Sequence, residues 1–311
     1  MIAFPTSPSA AAALGGVVRA GSTDLSETRR LGLASGDLVD LRDCAGLEDV
    51  AFADGVLTIG ARVRIADLAV HPEAQRAPAV ARAAGGLATP QIRAVATVAG
   101  NLLQRNRCWY FRNRELTCHQ KGGHTCLARA GHADRHAVFD AGVGCANVHA
   151  STLAMVLLLH DAEVDVLGGP SRTVAALLGD GKDSSRDHAL EPGALITAIR
   201  VPVLEGERGG YMRAIQRAFA EWPAVEAGAR LVVVDGAVTV ARVALGAVGR
   251  VPRRLPLVEA ALVGGLATPE AFAKAALLAT DGASPLPGSA WKVALLAACV
   301  EDALANAVEA A

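Results

Sequence analysis

The sequence predicts a mixed α/β (α+β) chain whose C-terminal third is an antiparallel sheet covered by helices. Three observations lead there. Near the N-terminus, short apolar runs alternate with helix-start signals. Asp54-Gly55 and Asp235-Gly236 each join two strand-like runs by a strong two-residue turn signal. Helical patterns at 256–262, 269–278 and 289–308 then follow the last strands.

With 311 residues the chain is long enough for at least two packed units. Apolar residues make up 52 %, and 30 Lys and Arg nearly balance 31 Asp and Glu. Core material is therefore ample, and no strong positive field points to a nucleic-acid partner. The longest apolar run, 153–159, is far short of the roughly 20 residues of a membrane helix. Residues 1–16 lack a basic region, so no secretory signal is expected and the expected location is cytoplasmic.

In order, residues 7–14 read as a short helix behind Ser/Pro start signals and 17–20 as a buried strand. The turn Gly21-Ser22-Thr23-Asp24 follows, with Thr23 or Asp24 as cap for a helix over 25–33. Successive backbone N–H groups at such a turn can bind a phosphate, although small-residue turns more often only reverse the chain. A strand at 38–41, a hairpin at 50–63 and helices at 65–69 and 73–84 come next. Ala96-Thr97-Val98 reads as a strand running into a second small-residue turn, Ala99-Gly100-Asn101. Two turns facing one another would clamp a diphosphate from both sides, which suits a dinucleotide. Neither turn fits G-x-G-x-x-G, so a Rossmann site is not indicated.

Residues 104–144 have little periodicity and read as a long ordered loop. Helical character resumes at 148–161, with strands at 163–167 and 195–203 and a polar loop at 179–187. The stretch LEGERGG at 204–210 reads as a linker, and strands are expected at 211–219, 225–234 and 238–246.

Six cysteines are too few for a disulfide scaffold in a chain of this size, and four of them share one window. Cys108, Cys118, Cys126 and Cys145 are separated by 9, 7 and 18 residues, unlike zinc ribbons or bacterial ferredoxins. Four thiolates suit iron-sulfur or zinc, and unrelated thiols are the third reading. His119, His124, His132 and His136 read as exposed loop residues. Arg105, Arg107, Arg112, Arg114 and Lys121 would set positive charge beside the thiolates, or form a solvated basic loop. Trp109, Tyr110 and Phe111 would wall off a cluster or serve as ordinary core aromatics. Cys299 reads as a core thiol, and no residue order gives a general base.

AGSTDL at 20–25, LTIGARVRIADLA, ATVAGNLLQRNRCWYFR, VHASTLAMVLLLHDAEVDV, ARVALGAVGRVPRR and GSAWKVALL occur in one order over most of the chain. That series resembles the FAD-binding (medium) subunit of the molybdenum hydroxylase / xanthine dehydrogenase family, in the branch with an additional [4Fe-4S] cluster. The resemblance implies a two-lobed FAD-binding domain of the PCMH / vanillyl-alcohol-oxidase-like type at 1–203, carrying the cluster loop 104–147. A sheet-plus-helices domain at 211–311 would follow. It implies FAD contacts from Ala20, Gly21, Ser22, Thr23, Asp24 and Leu25, from Thr97, Val98, Ala99, Gly100 and Asn101, and from Ser151. Leu195 and Ile196 would approach the isoalloxazine, and Cys108, Cys118, Cys126 and Cys145 would hold the cluster. Arg213, Arg217, Trp222 and Pro223 fall where the family has residues near the flavin.

The implied role is an electron-transfer flavoprotein subunit between a molybdenum partner and an external acceptor. Its partners would be a [2Fe-2S] small subunit and a molybdopterin large subunit. Three departures stand out: Ser22 and Ala99 replace glycines of the two turns, and Ser151-Thr152 replaces the Ser-Asp of an HPSD motif. The first two add a Cβ where a diphosphate approaches, and the third removes a carboxylate. They keep two further readings open: a stand-alone iron-sulfur flavoenzyme with its own small-molecule substrate, and a flavin-free structural partner.

Overall fold

A computed structural model describes residues 1–218 and 220–309. The chain opens with β1 (Ile2–Ala3), α1 (Pro8–Leu14), β2 (Val17–Arg19), α2 (Leu25–Arg30) and β3 (Leu38–Asp40). Ser7 caps α1 by accepting the Ala10 N–H, and Pro8 fits its first turn, where no N–H partner is needed. β1 and β2 both lie parallel to β3 in the order β1-β3-β2. A small core of Ala11, Val39, Leu41, Cys44, Leu47 and Leu195 seals this lobe against the next.

The second lobe begins with the hairpin β4 (Val50–Ala53) and β5 (Val56–Gly60), whose turn residues Asp54 and Gly55 take φ of 50° and 77°. Helices α3 (Ile65–Val70), α4 (Pro78–Gly86), α5 (Pro90–Arg93), α6 (Val98–Leu102), α7 (Trp109–Arg112) and α8 (Thr152–Leu158) follow. The lobe ends in β6 (Glu163–Val166), β7 (Arg172–Thr173), α9 (Val174–Leu178) and β8 (Ile196–Pro202). β8 inserts between β5 and β6, so the sheet runs β4-β5-β8-β6-β7, antiparallel throughout. Leu57, Ile59, Ile199 and Val201 from this sheet share a core with residues of α3, α4 and α8.

The third unit is a four-stranded antiparallel sheet of β9 (Glu207–Ala214), β10 (Val225–Val234), β11 (Ala237–Gly246) and β12 (Arg253–Arg254) in the order β12-β11-β10-β9. Helices α10 (Pro256–Leu262), α11 (Pro269–Ala276) and α12 (Val293–Glu309) pack with it, and α4 and α8 of the second lobe also contact its strands. A Cβ added at Gly228 of β10 would crowd Leu159 at 3.1 Å and Val156 at 3.2 Å, so α8 and the residue after it pack tightly against the sheet at this glycine.

Four local expectations need correction. The helix expected at 73–84 divides into a 3-10 turn, Glu73–Arg76, and α4, because Pro78 excludes helical backbone at the residue before it. The strand expected at 96–98 reduces to a single bridge between Thr97 and Arg64. The loop 104–144 carries α7 and 3-10 turns at His119–Lys121 and Leu127–Arg129. The expected linker at 204–210 contains the start of β9.

The glycines in that stretch serve close packing. A Cβ on Gly209 would collide with the Ala79 backbone of α4, and one on Gly210 with the Ala303 carbonyl of α12. β9 ends at Ala214; Phe219, where the strand was expected to end, and the last two residues lie outside the described part. No helix among the described residues is long and apolar enough to cross a membrane.

Candidate functional site

β2 delivers the chain into the turn Ala20–Asp24, which presses against the segment leading into α6. A Cβ at Gly21 would collide with the Val95 carbonyl oxygen, so only glycine fits there. Ser22 adopts φ of 60°, the left-handed conformation that favours glycine, and its hydroxyl lies 2.8 Å from that of Ser26. Among the described residues the N–H groups of Ser22, Thr23, Asp24 and Leu25 have no protein acceptor.

Asp24 precedes α2 without capping it by a side-chain hydrogen bond. Its carboxylate instead accepts from Arg112 at 2.6 Å and from the Arg105 N–H at 2.8 Å, and pairs with Arg107 at 3.2 Å. The turn therefore keeps its N–H groups free and is anchored through a carboxylate pointing the other way.

These residues line a cleft of about 310 Å³. Ala20, Gly21, Ser22, Thr23, Asp24 and Leu25 form one wall, Thr97, Ala99 and Gly100 a second, and Leu195 and Ile196 a third. Arg19, Arg62, Gln104 and Phe111 also line it; nothing local in the sequence marks them, because each arrives from a different element.

The second turn differs in what it offers. Val98 N–H donates to Val63 O at 3.0 Å, Ala99 N–H to Ala61 O at 3.1 Å, Gly100 N–H to Thr97 Oγ1 at 3.3 Å and Asn101 N–H to Thr97 O at 2.8 Å. A backbone clamp from both sides is thus not what the two turns present, since the second has already used its donors to build and dock α6. Ala99 lies within that helix, where alanine needs no special φ.

Val98 is buried in the core and is absent from the lining of this cleft. Ser151 is also buried; its hydroxyl donates to Asn101 Oδ1 at 2.7 Å and accepts the Ala154 N–H at 3.0 Å, capping α8. A second cleft, about 270 Å³, shares Thr23, Gly100 and Gln104 with the first and extends past Asn101, Arg107, Thr152, Arg213, Trp222 and Pro223. The Arg107 guanidinium stacks 4.6 Å from the Trp222 ring centre.

Cys108, Cys118, Cys126 and Cys145, brought from three turns of the loop and its return, line one small cavity together with Phe111 and Leu127. As the side chains stand, no group of three or more His, Cys, Asp or Glu among the described residues is gathered to hold a metal ion. The thiols engage other partners: Cys108 Sγ lies 3.3 Å from His136 Nε2, and Cys145 Sγ donates to Asn147 Oδ1 at 3.0 Å. The neighbouring Cys145 lowers the pKa of the Cys126 thiol to about 5, while the proximity of Cys126 and burial raise that of Cys145. Burial raises Cys108.

The surroundings differ from the sequence expectation in two ways. His136 is buried, and burial lowers its pKa to about 4, so it faces Cys108 as a neutral ring; His124 and His132 are exposed. Arg105, Arg107 and Arg112 turn to Asp187, Asp24 and Glu27, so their charge is matched by carboxylates. Arg129 and Arg250 are the cations that act on Cys126 and Cys145.

Two adjoining clefts that meet at a rim of unpaired N–H groups fit an extended dinucleotide. Residues 12–204 match the family described as the FAD binding domain in molybdopterin dehydrogenase, and 210–306 match the CO dehydrogenase flavoprotein C-terminal domain. The aldehyde oxidoreductase FAD-binding subunit PaoB of Escherichia coli (strain K12) is 35 % identical over 255 residues, covering 79 % of each chain. The fold is similar to a chain of CO dehydrogenase from Oligotropha carboxidovorans, with a TM-score of 0.75, 21 % identity and coverage of 100 % and 98 %. It is equally similar to a chain of quinoline 2-oxidoreductase from Pseudomonas putida 86, with a TM-score of 0.75, 20 % identity and coverage of 99 % and 96 %.

Fold and site together define an FAD-dependent oxidoreductase subunit. The chain belongs to the family of FAD-binding subunits of molybdenum hydroxylases and CO dehydrogenases.

Proposed function

We propose that this chain relays electrons through FAD between a molybdenum-containing partner and an external acceptor, with a [4Fe-4S] cluster held by Cys108, Cys118, Cys126 and Cys145. The observation that carries the flavin part is the wall of the first cleft where Ser22, Thr23, Asp24 and Leu25 have N–H groups without acceptors, with Thr23 also lining the second cleft. A diphosphate there would send one nucleotide half into each cleft, and Leu195 and Ile196 would wall the ring system in the first. Bound FAD supplies the two-electron to one-electron exchange; the protein supplies orientation and electrostatics.

Thr97, Gly100 and Asn101 would meet the cofactor from the opposite side, Thr97 and Asn101 through side chains, since their turn has no free N–H to give. Ala99 would contribute a surface, while Val98 and Ser151 would support the site from behind. The cluster reading rests on four thiols lining one cavity, with a donor set that suits iron-sulfur chemistry. Iron would draw the four sulfurs from their present partners toward a common centre.

The partners in this reading are a [2Fe-2S] small subunit and a molybdopterin large subunit. PaoB is by its name the FAD-binding subunit of an aldehyde oxidoreductase, and that supports the assignment. We divide the chain into an FAD-binding part, 1–203, with the cluster loop 104–147, and a C-terminal part, 211–311. Family matches at 12–204 and 210–306 support the division.

Anaerobic purification with an absorption spectrum and flavin, iron and sulfide analysis tests the whole reading. One FAD with four iron and four sulfide per chain is expected. FAD without iron, or one zinc, removes the cluster; a colourless, flavin-free chain removes the redox function.

A further inference from the structure

The polar loop that ends at Asp187 carries no motif, yet it delivers one buried carboxylate, 6 % exposed, to the cysteine loop. Its Oδ2 accepts from Arg105 Nε at 2.8 Å and from the Asn106 backbone N–H at 3.2 Å. Its Oδ1 accepts from Gln120 Nε2 at 3.0 Å and from Arg250 Nη1 at 3.3 Å. The Asn106 side-chain amide spans both oxygens, at 3.4 and 3.3 Å. These donors fill the acceptor positions of the carboxylate.

Three of the donor residues lead to cysteines. Asn106 Oδ1 accepts the Cys108 N–H at 3.1 Å, and Gln120 stands two positions after Cys118. Arg250 also donates to Asn147 Oδ1, the atom that accepts from Cys145 Sγ at 3.0 Å. Asn106 and Gln120 themselves line the cysteine cavity. The Cys126 segment is held separately, in a turn where the Arg129 N–H donates to Cys126 O at 3.1 Å.

The remaining donor, Arg105, faces the first cleft, and its guanidinium stacks 4.8 Å from the centre of the Phe111 ring. Phe111 lines both that cleft and the cysteine cavity. It is therefore a wall common to the two proposed cofactor sites.

We propose that Asp187 is a positioning residue: from outside the cysteine loop it fixes the segments bearing Cys108, Cys118 and Cys145 and, through Arg105, the Phe111 wall between the cysteine cavity and the first cleft. The purpose it gives those thiols rests on the iron-sulfur reading above. Groups that hold the ligands rather than the metal set their orientation, and a buried carboxylate suits that task because its bonds to Arg105 and Arg250 are charge-assisted. Burial opposes the charge, but Arg105 and Arg250 hold the Asp187 pKa below the ordinary carboxylate range, so it accepts from all its donors at neutral pH.

The test compares the native full chain with Asp187→Asn, Gln120→Met and, as control, Asp180→Asn, whose exposed carboxylate pairs with Lys182. Iron-free protein is treated with iodoacetamide, and the alkylation rate of each cysteine is read by mass spectrometry. Iron, sulfide and the EPR signal of the dithionite-reduced, anaerobically purified chains are recorded alongside. Asp187→Asn keeps the shape but sets an amide N–H against other donors, and is expected to raise the rates at Cys108, Cys118 and Cys145 by about tenfold or more. Cys44 and Cys299, buried elsewhere, are expected to keep theirs. Gln120→Met leaves the carboxylate with both arginines and is expected to raise the rate at Cys118 more than at Cys145; it carries the test if Asp187→Asn does not fold. An EPR signal changed or lost in Asp187→Asn and unaltered in Asp180→Asn completes the expected result. Native rates at the three cysteines in a folded Asp187→Asn chain, equal rises at Cys118 and Cys145 in Gln120→Met, or a native EPR signal in Asp187→Asn overturn the proposal. A native chain purified without iron overturns the cluster reading alone, since the alkylation rates still decide the role of Asp187.

Discussion

Arg112 reaches back 88 positions to set its Nη2 2.6 Å from the Asp24 carboxylate, joining the cysteine loop to the turn that carries the unpaired N–H groups. Glu27 accepts from the same guanidinium at 3.0 Å, and Arg112 also donates to Arg105 O and Asn106 O. Both charged groups are mostly buried, at 10 % and 16 % exposure, so the pair is shielded from solvent more than a surface ion pair. One loop thereby holds both proposed cofactor sites in register.

Asp24→Asn keeps the size of the side chain and removes the charge that the Arg107 and Arg112 guanidiniums share. A loss of about 2 kcal/mol in unfolding free energy is expected from leaving those cations without their common carboxylate. Flavin binding is expected to weaken as well, read by quenching of flavin fluorescence. Unchanged affinity would show that the turn keeps its shape without the clasp.

Ser22→Gly removes a Cβ from a residue held at φ of 60°. The gain is expected to be about 0.5–1 kcal/mol, because glycine adopts this conformation without strain but loses more chain entropy on folding. Thermal unfolding of the two chains measures it. Gly21→Ala is the opposite case: the new methyl meets the Val95 carbonyl, and loss of flavin binding together with a lowered melting temperature is expected.

Replacing Cys108, Cys118, Cys126 or Cys145 singly by Ala is expected to remove iron and sulfide from the purified chain while FAD remains. Cys44→Ala and Cys299→Ala serve as controls, since both thiols are buried away from the shared cavity. Full iron content in any of the four single variants would take that cysteine out of the ligand set.

Lys292 is 1 % exposed, and its Nζ donates to His136 O at 3.0 Å and Ala247 O at 2.7 Å, with no carboxylate partner among the described residues. Burial, and then Arg135, lower its pKa to about 7 from the ordinary 10.5. Between those two values the unfolded chain binds the proton and the folded chain does not, so this group makes stability rise with pH from about 7 toward 10.5. A neutral amine still has two N–H groups for its two carbonyls. Urea midpoints at pH 7 and pH 9.5 are therefore expected to rise for the native chain relative to Lys292→Met; equal slopes would show that the ammonium stays charged.

Much of the local structure was legible. The Asp54-Gly55 and Asp235-Gly236 hairpins, the capped helices and the three C-terminal helices follow from turn chemistry and periodicity, which act over a few residues. The two small-residue turns were legible as turns, and the cysteine window as a cluster of thiols. What each could do was not, because a free N–H and a spent one look alike in sequence. The turn 20–25 keeps its donors; the turn 97–101 uses them on Ala61, Val63 and its own Thr97.

The sequence by itself determined most of the strands and helices, where the hairpins turn, and that four thiols fall within one window. Only the tertiary structure decided that Gly209 and Gly210 are squeezed between α4 and α12, that Arg112 serves Asp24 instead of a thiolate, and that Asp187 reaches Arg105, Asn106, Gln120 and Arg250 at once. The reason is physical: propensity and turn type depend on near neighbours along the chain. Burial, close approach and charge pairing depend on which distant segments fold into contact.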